Sequence, residues 1–254
     1  MASSILHPDR LTSKWWFYLL LILIGFILIP PYSSEEYKPR EMGRVVGEAL
    51  SGAIINRLVD MRWPSALLHI ATILIMLGLL LKSELAVKAY NLYACLSYYM
   101  IAIGQGIGHS KHYGLVVLMG NIIIVLIVAT LWAWECRVQR NRLRGAIERM
   151  RLWVLPLALW AYWSPITPSL NPRYLLFGYY GVAYCLTTPV LLTPLILYYP
   201  NVNRPVMRVT AFIGLIFAIL NVISPLYGGS LWVGTVLHLP LLLTCSYALL
   251  LSRR

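Results

Sequence analysis

Between Arg208 and Arg253 the chain contains no Asp, Glu, Lys or Arg, only two apolar runs separated by Gly228-Gly229-Ser230. Runs of this kind do not suit the surface of a water-soluble fold. At about 1.5 Å per residue, each is long enough to cross a hydrocarbon layer about 30 Å thick as a helix. Similar runs recur from the amino-terminal end onward, and they predict spans over 15–32, 64–81, 86–108, 113–134, 152–170, 174–199, 209–227 and 230–251. Composition agrees, because 59% of the 254 residues are hydrophobic, 12% are charged and the mean hydropathy is +0.72. A transmembrane barrel requires alternating apolar and polar residues, which these runs lack. The expected fold is an all-α polytopic membrane helical bundle of about eight transmembrane helices, forming a single integral membrane domain over residues 1–254.

The net charge of +12 is placed as topology requires. With the amino terminus inside, the inner segments hold Arg10 and Lys14, Lys82 and Lys88, the basic loop 136–151 with its six arginines, Arg204 and Arg208, and Arg253 and Arg254. The outer segments hold half as many basic residues. Five of these (Lys38, Arg40, Arg44, Arg57 and Arg62) share one loop with Glu35, Glu36, Glu41, Glu48 and Asp60, and the others are Lys111 and Arg173. Basic residues favour the cytoplasmic side, so both termini are expected inside, in the plasma membrane. The expected partners are the bilayer and its anionic headgroups at the cytoplasmic face, and no nucleic acid. Loop 136–151 is also where a partner subunit would dock. The first apolar run leads into Ile-Pro-Pro-Tyr and not into a small-x-small cleavage site, so it is expected to remain as an anchor.

The extracytoplasmic segment 33–63 shows helical periodicity after Pro39 in Met42, Val45, Val46, Ala49, Leu50, Ala53, Ile54 and Leu58. It reads as an amphipathic outer helix between spans one and two, lying in the headgroup layer or closing over a cavity. Gly43, Gly47 and Ser51 form a small-residue ridge that permits close approach of a neighbouring helix.

Among the carboxylates, only Glu135 falls at a span, at the inner end of the fourth, so carboxylate-driven proton transport is not indicated. The other polar residues gather toward the outer half: His69 and His238 within spans two and eight, His109 and His112 in GQGIGHSKHYG, and Gln105, Asn121 and Asn221 at comparable depth. Buried amides and imidazoles need partners within a bundle, so an outward-facing polar vestibule is expected. Three readings of the histidines stand side by side. His69 with His238 is a deep pair suited to haem b. His109 with His112, joined by His238 or His69 and by Glu35 or Glu36 from the loop, suits zinc. Otherwise the glycines make a turn and the histidines hydrogen-bond locally. Prolines crowd the second half, and Thr187 and Thr188 beside Pro189 offer hydroxyls to a solute.

Cys95, Cys136, Cys185 and Cys245 form no CxxC motif. Glu35 to Arg40 has the EExxxR spacing used by CAAX-type intramembrane proteases, but Ser65 stands where their FxxxH motif requires Phe. No acid and base pair for catalysis is visible. The expected function is that of a small permease or a membrane subunit of a larger assembly. The alternatives are a haem- or metal-binding redox subunit and a structural membrane component.

Overall fold

The structure is a computed structural model and describes residues 8–168 and 170–253. Arg254, counted above, lies outside the described residues, as does Ser169 of the fifth expected span. The chain is predominantly helical. It opens with α1 (Pro8–Leu11) and α2 (Trp15–Ile22), which continues as a π-helical stretch over Leu23–Leu28. Pro30 and Pro31 end that helix, because proline cannot continue the hydrogen-bond ladder. Then come β1 (Tyr32–Ser33), α3 (Met42–Ser51), α4 (Arg57–Asp60), α5 (Trp63–Leu80) and α6 (Glu84–Gly106). β2 (Ile107–Ser110) and β3 (Gly114–Val117) precede α7 (Met119–Val138). The second half contains α8 (Val154–Trp163), α9 (Tyr174–Phe177), α10 (Tyr184–Leu197), α11 (Arg204–Val222) and α12 (Leu239–Ser252). Between α11 and α12 the backbone passes through 3-10 and π turns.

Four helical stretches are long and apolar enough to cross a membrane: Trp63–Leu80, Met119–Val138, Arg204–Leu226 and Leu231–Ser252. Trp15–Leu28 and Tyr184–Leu197 are apolar but shorter. Two expected spans are cut back by local backbone chemistry. The fifth stops at Trp163, where Ser164 turns left-handed at φ 47° before Pro165. The sixth is interrupted after α9 by Gly178 in extended conformation and Gly181 at φ 82°, and it resumes as α10. The expected third and fourth spans are joined by an antiparallel hairpin, with Ser110 opposite Gly114.

A helix that is apolar on every side belongs at the centre of a bundle, and α10 is buried from Leu186 to Leu197. α6, α8, α11 and α12 surround it. Beside α10 runs an aromatic column: Trp132 meets Tyr90 edge-on at 5.5 Å and stacks near Tyr98 at 6.3 Å, and Tyr184 packs on Tyr98 and Phe217. Each polar tip finds a partner. Trp132 Nε1 donates to Thr210 Oγ1 at 3.1 Å, the Tyr184 hydroxyl donates to Thr210 O at 3.0 Å, and the Tyr90 hydroxyl donates to Leu191 O. The last contact ties α6 to α10.

One end of the bundle collects segments far apart in sequence. Arg140 pairs with Asp9 at 2.7 Å and Arg144 with Glu84 at 3.5 Å. Arg208 donates to Thr12 O at 3.0 Å and to Ser252 O at 2.7 Å, tying the amino-terminal segment to the last helix. At the opposite end, β1, β3 and β2 form a three-stranded antiparallel sheet in that order. α3 lies on this sheet, and Val45, Ala49, Tyr113, Val116 and Leu118 make a small core of their own.

Candidate functional site

The cap formed by α3 and the sheet determines what the glycines of GQGIGHSKHYG do. A Cβ on Gly108 would strike Ala49 O, and one on Gly52 would strike His109 O. The two backbones touch there, with His109 N donating to Gly52 O at 3.0 Å. Gly104 and Gly106 admit the side chains of Ile55 and Ile122, and Gly114 takes φ 65° to close the hairpin. The stretch is therefore a β-hairpin between two long helices, where a helix continuing to residue 108 had been expected. The Gly43 and Gly47 ridge faces open space; the close approach occurs at Gly52 and Gly108 instead.

On the cap, Glu48 accepts from Ser110 Oγ at 2.5 Å and from Arg44 Nε at 2.9 Å, and His112 Nδ1 lies 3.0 Å away. These contacts, the Ser110 hydrogen bond foremost and His112 next, hold its carboxyl down at about 2. His112 also lies 3.2 Å from an Arg44 guanidinium nitrogen. His109 is exposed on β2. Among the described residues no group of three or more His, Cys, Asp or Glu side chains is gathered in a way that holds a metal ion.

His69 and His238 are both withdrawn from the surface, with relative exposures of 0% and 9%. Each Nδ1 turns to a nearby carbonyl of its own chain segment, at 2.8 Å from Ser65 O and from Val233 O respectively. The rings beside His69 are those of Tyr162 and Tyr180, at 4.9 and 5.2 Å. Its Nε2 is buried without a hydrogen-bond partner among the described residues. Thr72 and Tyr180 close this pocket with a hydroxyl pair at 2.8 Å.

Of the polar residues expected to meet a solute, the structure brings Gln105 and Asn121 together. They line one crevice of about 20 Å³ between α6, α7 and α11, with Ile101, Val125 and Phe217 as its apolar wall. That volume holds about one water. Gln105 Oε1 accepts from Tyr184 N at 3.2 Å, so the amide also anchors the start of α10. Asn221 lies one turn beyond Phe217 on α11 and donates to Phe217 O at 2.8 Å. Thr187 and Thr188 are engaged elsewhere. Thr187 Oγ1 bridges Ala183 O and Gly181 N, and Thr188 pairs with the Tyr98 hydroxyl at 3.1 Å.

Two arrangements were not foreseen from the sequence. Glu135, fully buried, accepts from Asn203 Nδ2 at 2.6 Å, Asn141 N at 2.7 Å and Asn91 Nδ2 at 3.3 Å. Asn141 links the set by donating to Asn91 Oδ1 at 2.9 Å and accepting from Asn203 N at 2.7 Å. This network joins α6, α7 and α11 at the end opposite the cap. The signal available in the sequence was Glu135 itself, since a carboxylate in an apolar run requires donors and amides flank it.

The second arrangement is a cavity of about 170 Å³ at the cap end, lined by Val59, Arg62, Asn171, Arg173, Tyr174 and Phe177. Arg62, just before α5, has φ 62° and ψ −56°, and Trp63 N donates back to Met61 O at 2.7 Å. This is a γ-turn of the rare positive-φ kind, held at a cost of about 1–3 kcal/mol.

Comparison with protein-family models, curated proteins and solved structures gives no match, so the functional reading rests on these residues and their geometry.

Proposed function

We propose that this chain is a permease-type integral membrane protein. In this reading it crosses the bilayer eight times with both termini inside, and its solute path begins at the crevice between Gln105 and Asn121. The observation that carries the reading is the convergence of these two amides, from different helices, on one recess walled by apolar side chains. A polar pair in such a setting is costly unless it serves a partner, whether water or solute.

The asymmetry of the bundle supports the direction of opening. At the end where Arg208 joins Thr12 to Ser252, Glu135 and its asparagines tie α6, α7 and α11 together. At the cap end the helices are interrupted, with π-helical stretches at Leu23–Leu28 and Leu231–Thr235. Irregular backbone at membrane depth is tolerated where it is buried in protein or lines a cavity. The crevice as it stands admits about one water, so passage of a solute requires the outer segments to part.

The test places a single cysteine at position 121 in a background with the four native cysteines changed to serine. A membrane-impermeant maleimide added to the outside of intact cells should label Asn121→Cys, and solutes that raise the melting temperature of purified protein should lose that effect in Gln105→Ala and Asn121→Ala. Labelling only from the inside, or solute shifts indifferent to both substitutions, would overturn the proposal. A redox subunit is the second reading, and it rests on the unpartnered Nε2 of buried His69. A Soret band lost in His69→Ala would establish it in place of the permease.

A further inference from the structure

The cavity at the cap end has a composition that the solute path does not explain. Arg62 approaches it from the joint between α4 and α5, and Arg173 from the segment before α9. Both are exposed, and among the described residues neither guanidinium has a carboxylate within ion-pair distance or a side-chain hydrogen bond. Four arginines elsewhere in the chain are used differently. Arg44, Arg140, Arg144 and Arg208 each hold a carboxylate or a backbone carbonyl. Two like charges brought to one recess with no carboxylate in ion-pair contact repel each other, and the arrangement is stabilised once an anion enters.

The recess is well suited to hold such an anion. Arg173 is fixed at its backbone, where its N–H donates to Asn171 Oδ1 at 3.0 Å. Asn171 is fixed in turn, since its carbonyl accepts from Trp163 Nε1 at 3.0 Å. Arg62 is held by the γ-turn, a backbone conformation that L-residues rarely adopt. Val59, Tyr174 and Phe177 supply the apolar part of its lining. Guanidinium forks match the paired oxygens of phosphate, and a wall of rings accommodates whatever carries it.

We propose that the cavity between Arg62 and Arg173 is a binding site for a phosphate monoester. Its source is either a soluble phosphomonoester or the monoester headgroup of phosphatidic acid in the same leaflet. The site is separate from the Gln105–Asn121 crevice and does not depend on the permease reading.

The experiment uses the full chain in two arms. In neutral detergent, binding of inorganic phosphate and of glycerol 3-phosphate is measured by calorimetry. In nanodiscs, retention of phosphatidic acid is compared with that of phosphatidylcholine. Arg62→Gln and Arg173→Gln should each weaken the phosphate-bearing probe about tenfold or more, as expected for loss of a charge-assisted hydrogen bond, and Arg62→Lys should weaken it less. Binding in the detergent arm identifies a soluble ligand, and selectivity in the nanodisc arm alone identifies a lipid headgroup. The two glutamine variants lie on separate segments, so if one melts early without probe the other decides. No binding in either arm, or equal binding by wild type and both variants, overturns the site.

Discussion

Replacing Glu135 with alanine should be among the most damaging single changes outside the aromatic column. The carboxylate takes three hydrogen bonds, from Asn203 Nδ2 at 2.6 Å, Asn141 N at 2.7 Å and Asn91 Nδ2 at 3.3 Å, and it is fully buried. Truncation leaves all three donors facing a void. A buried donor without a partner costs about 1–3 kcal/mol, so the loss is about 3–6 kcal/mol once some water enters the space. Glu135→Gln is the informative companion. Its oxygen can keep Asn141 N and Asn91, while its new amide faces Asn203 Nδ2. Asn203 answers by turning its amide over, at the expense of the cap it gives Val206 N at 3.5 Å. A lost helix cap costs about 1 kcal/mol, and glutamine should cost about that. Reversible unfolding of purified protein in mixed micelles, followed by tryptophan fluorescence, measures both. Equal losses for the two variants, or a loss under about 1 kcal/mol for alanine, would refute the assignment of this network as a tie between α6, α7 and α11.

Gly108→Ala should lower stability by about 1–3 kcal/mol through overpacking against Ala49 O, whereas Gly47→Ala, open to space on its helix, should be neutral or stabilising by up to about 1 kcal/mol; thermal melting of both variants separates a docked cap from a loose one. Glu48 has a folded value near 2 against an ordinary 4.5, so its contribution to the cap is full above about 4.5 and is lost as pH falls toward 2. Hydrogen exchange of the β2 and β3 amides should remain slow at pH 5 and accelerate below pH 3, and Ser110→Ala should move that acceleration to higher pH. Thr188→Val should cost about 1 kcal/mol by leaving the buried Tyr98 hydroxyl without its partner, and Tyr98→Phe in the same background should recover part of it.

The long helices were legible because an uninterrupted apolar run longer than a membrane span has few alternatives. α5 and α6 lie within two residues of where the runs place them, and the apolar stretch Arg204–Leu226 overlaps the seventh run. The hairpin after Gly106 was not legible: strands of four residues carry too short an alternation, and their partner β1 and their cover α3 come from a segment some 60–80 residues away. The breaks after Trp163 and Phe177 follow from Ser164 and Gly181 adopting left-handed backbone, which apolar counting does not register. The meeting of Gln105 and Asn121 followed from depth alone. The failure of Thr187 and Thr188 to join them came from helix rotation, which aims Thr188 at Tyr98. Asn91, Asn141 and Asn203 resemble ordinary helix-end amides until the fold shows that one carboxylate collects all three.

The order in which that carboxylate acquires its partners has a consequence for synthesis. Asn91 precedes Glu135 in the chain and Asn141 follows at once, but Asn203 stands before α11. A nascent chain that has released α7 therefore holds an incompletely satisfied acid until about 70 further residues emerge. During that interval the first half has reason to stay beside whatever machinery shields it, and arrival of the α11 entry segment is the event that lets the bundle close.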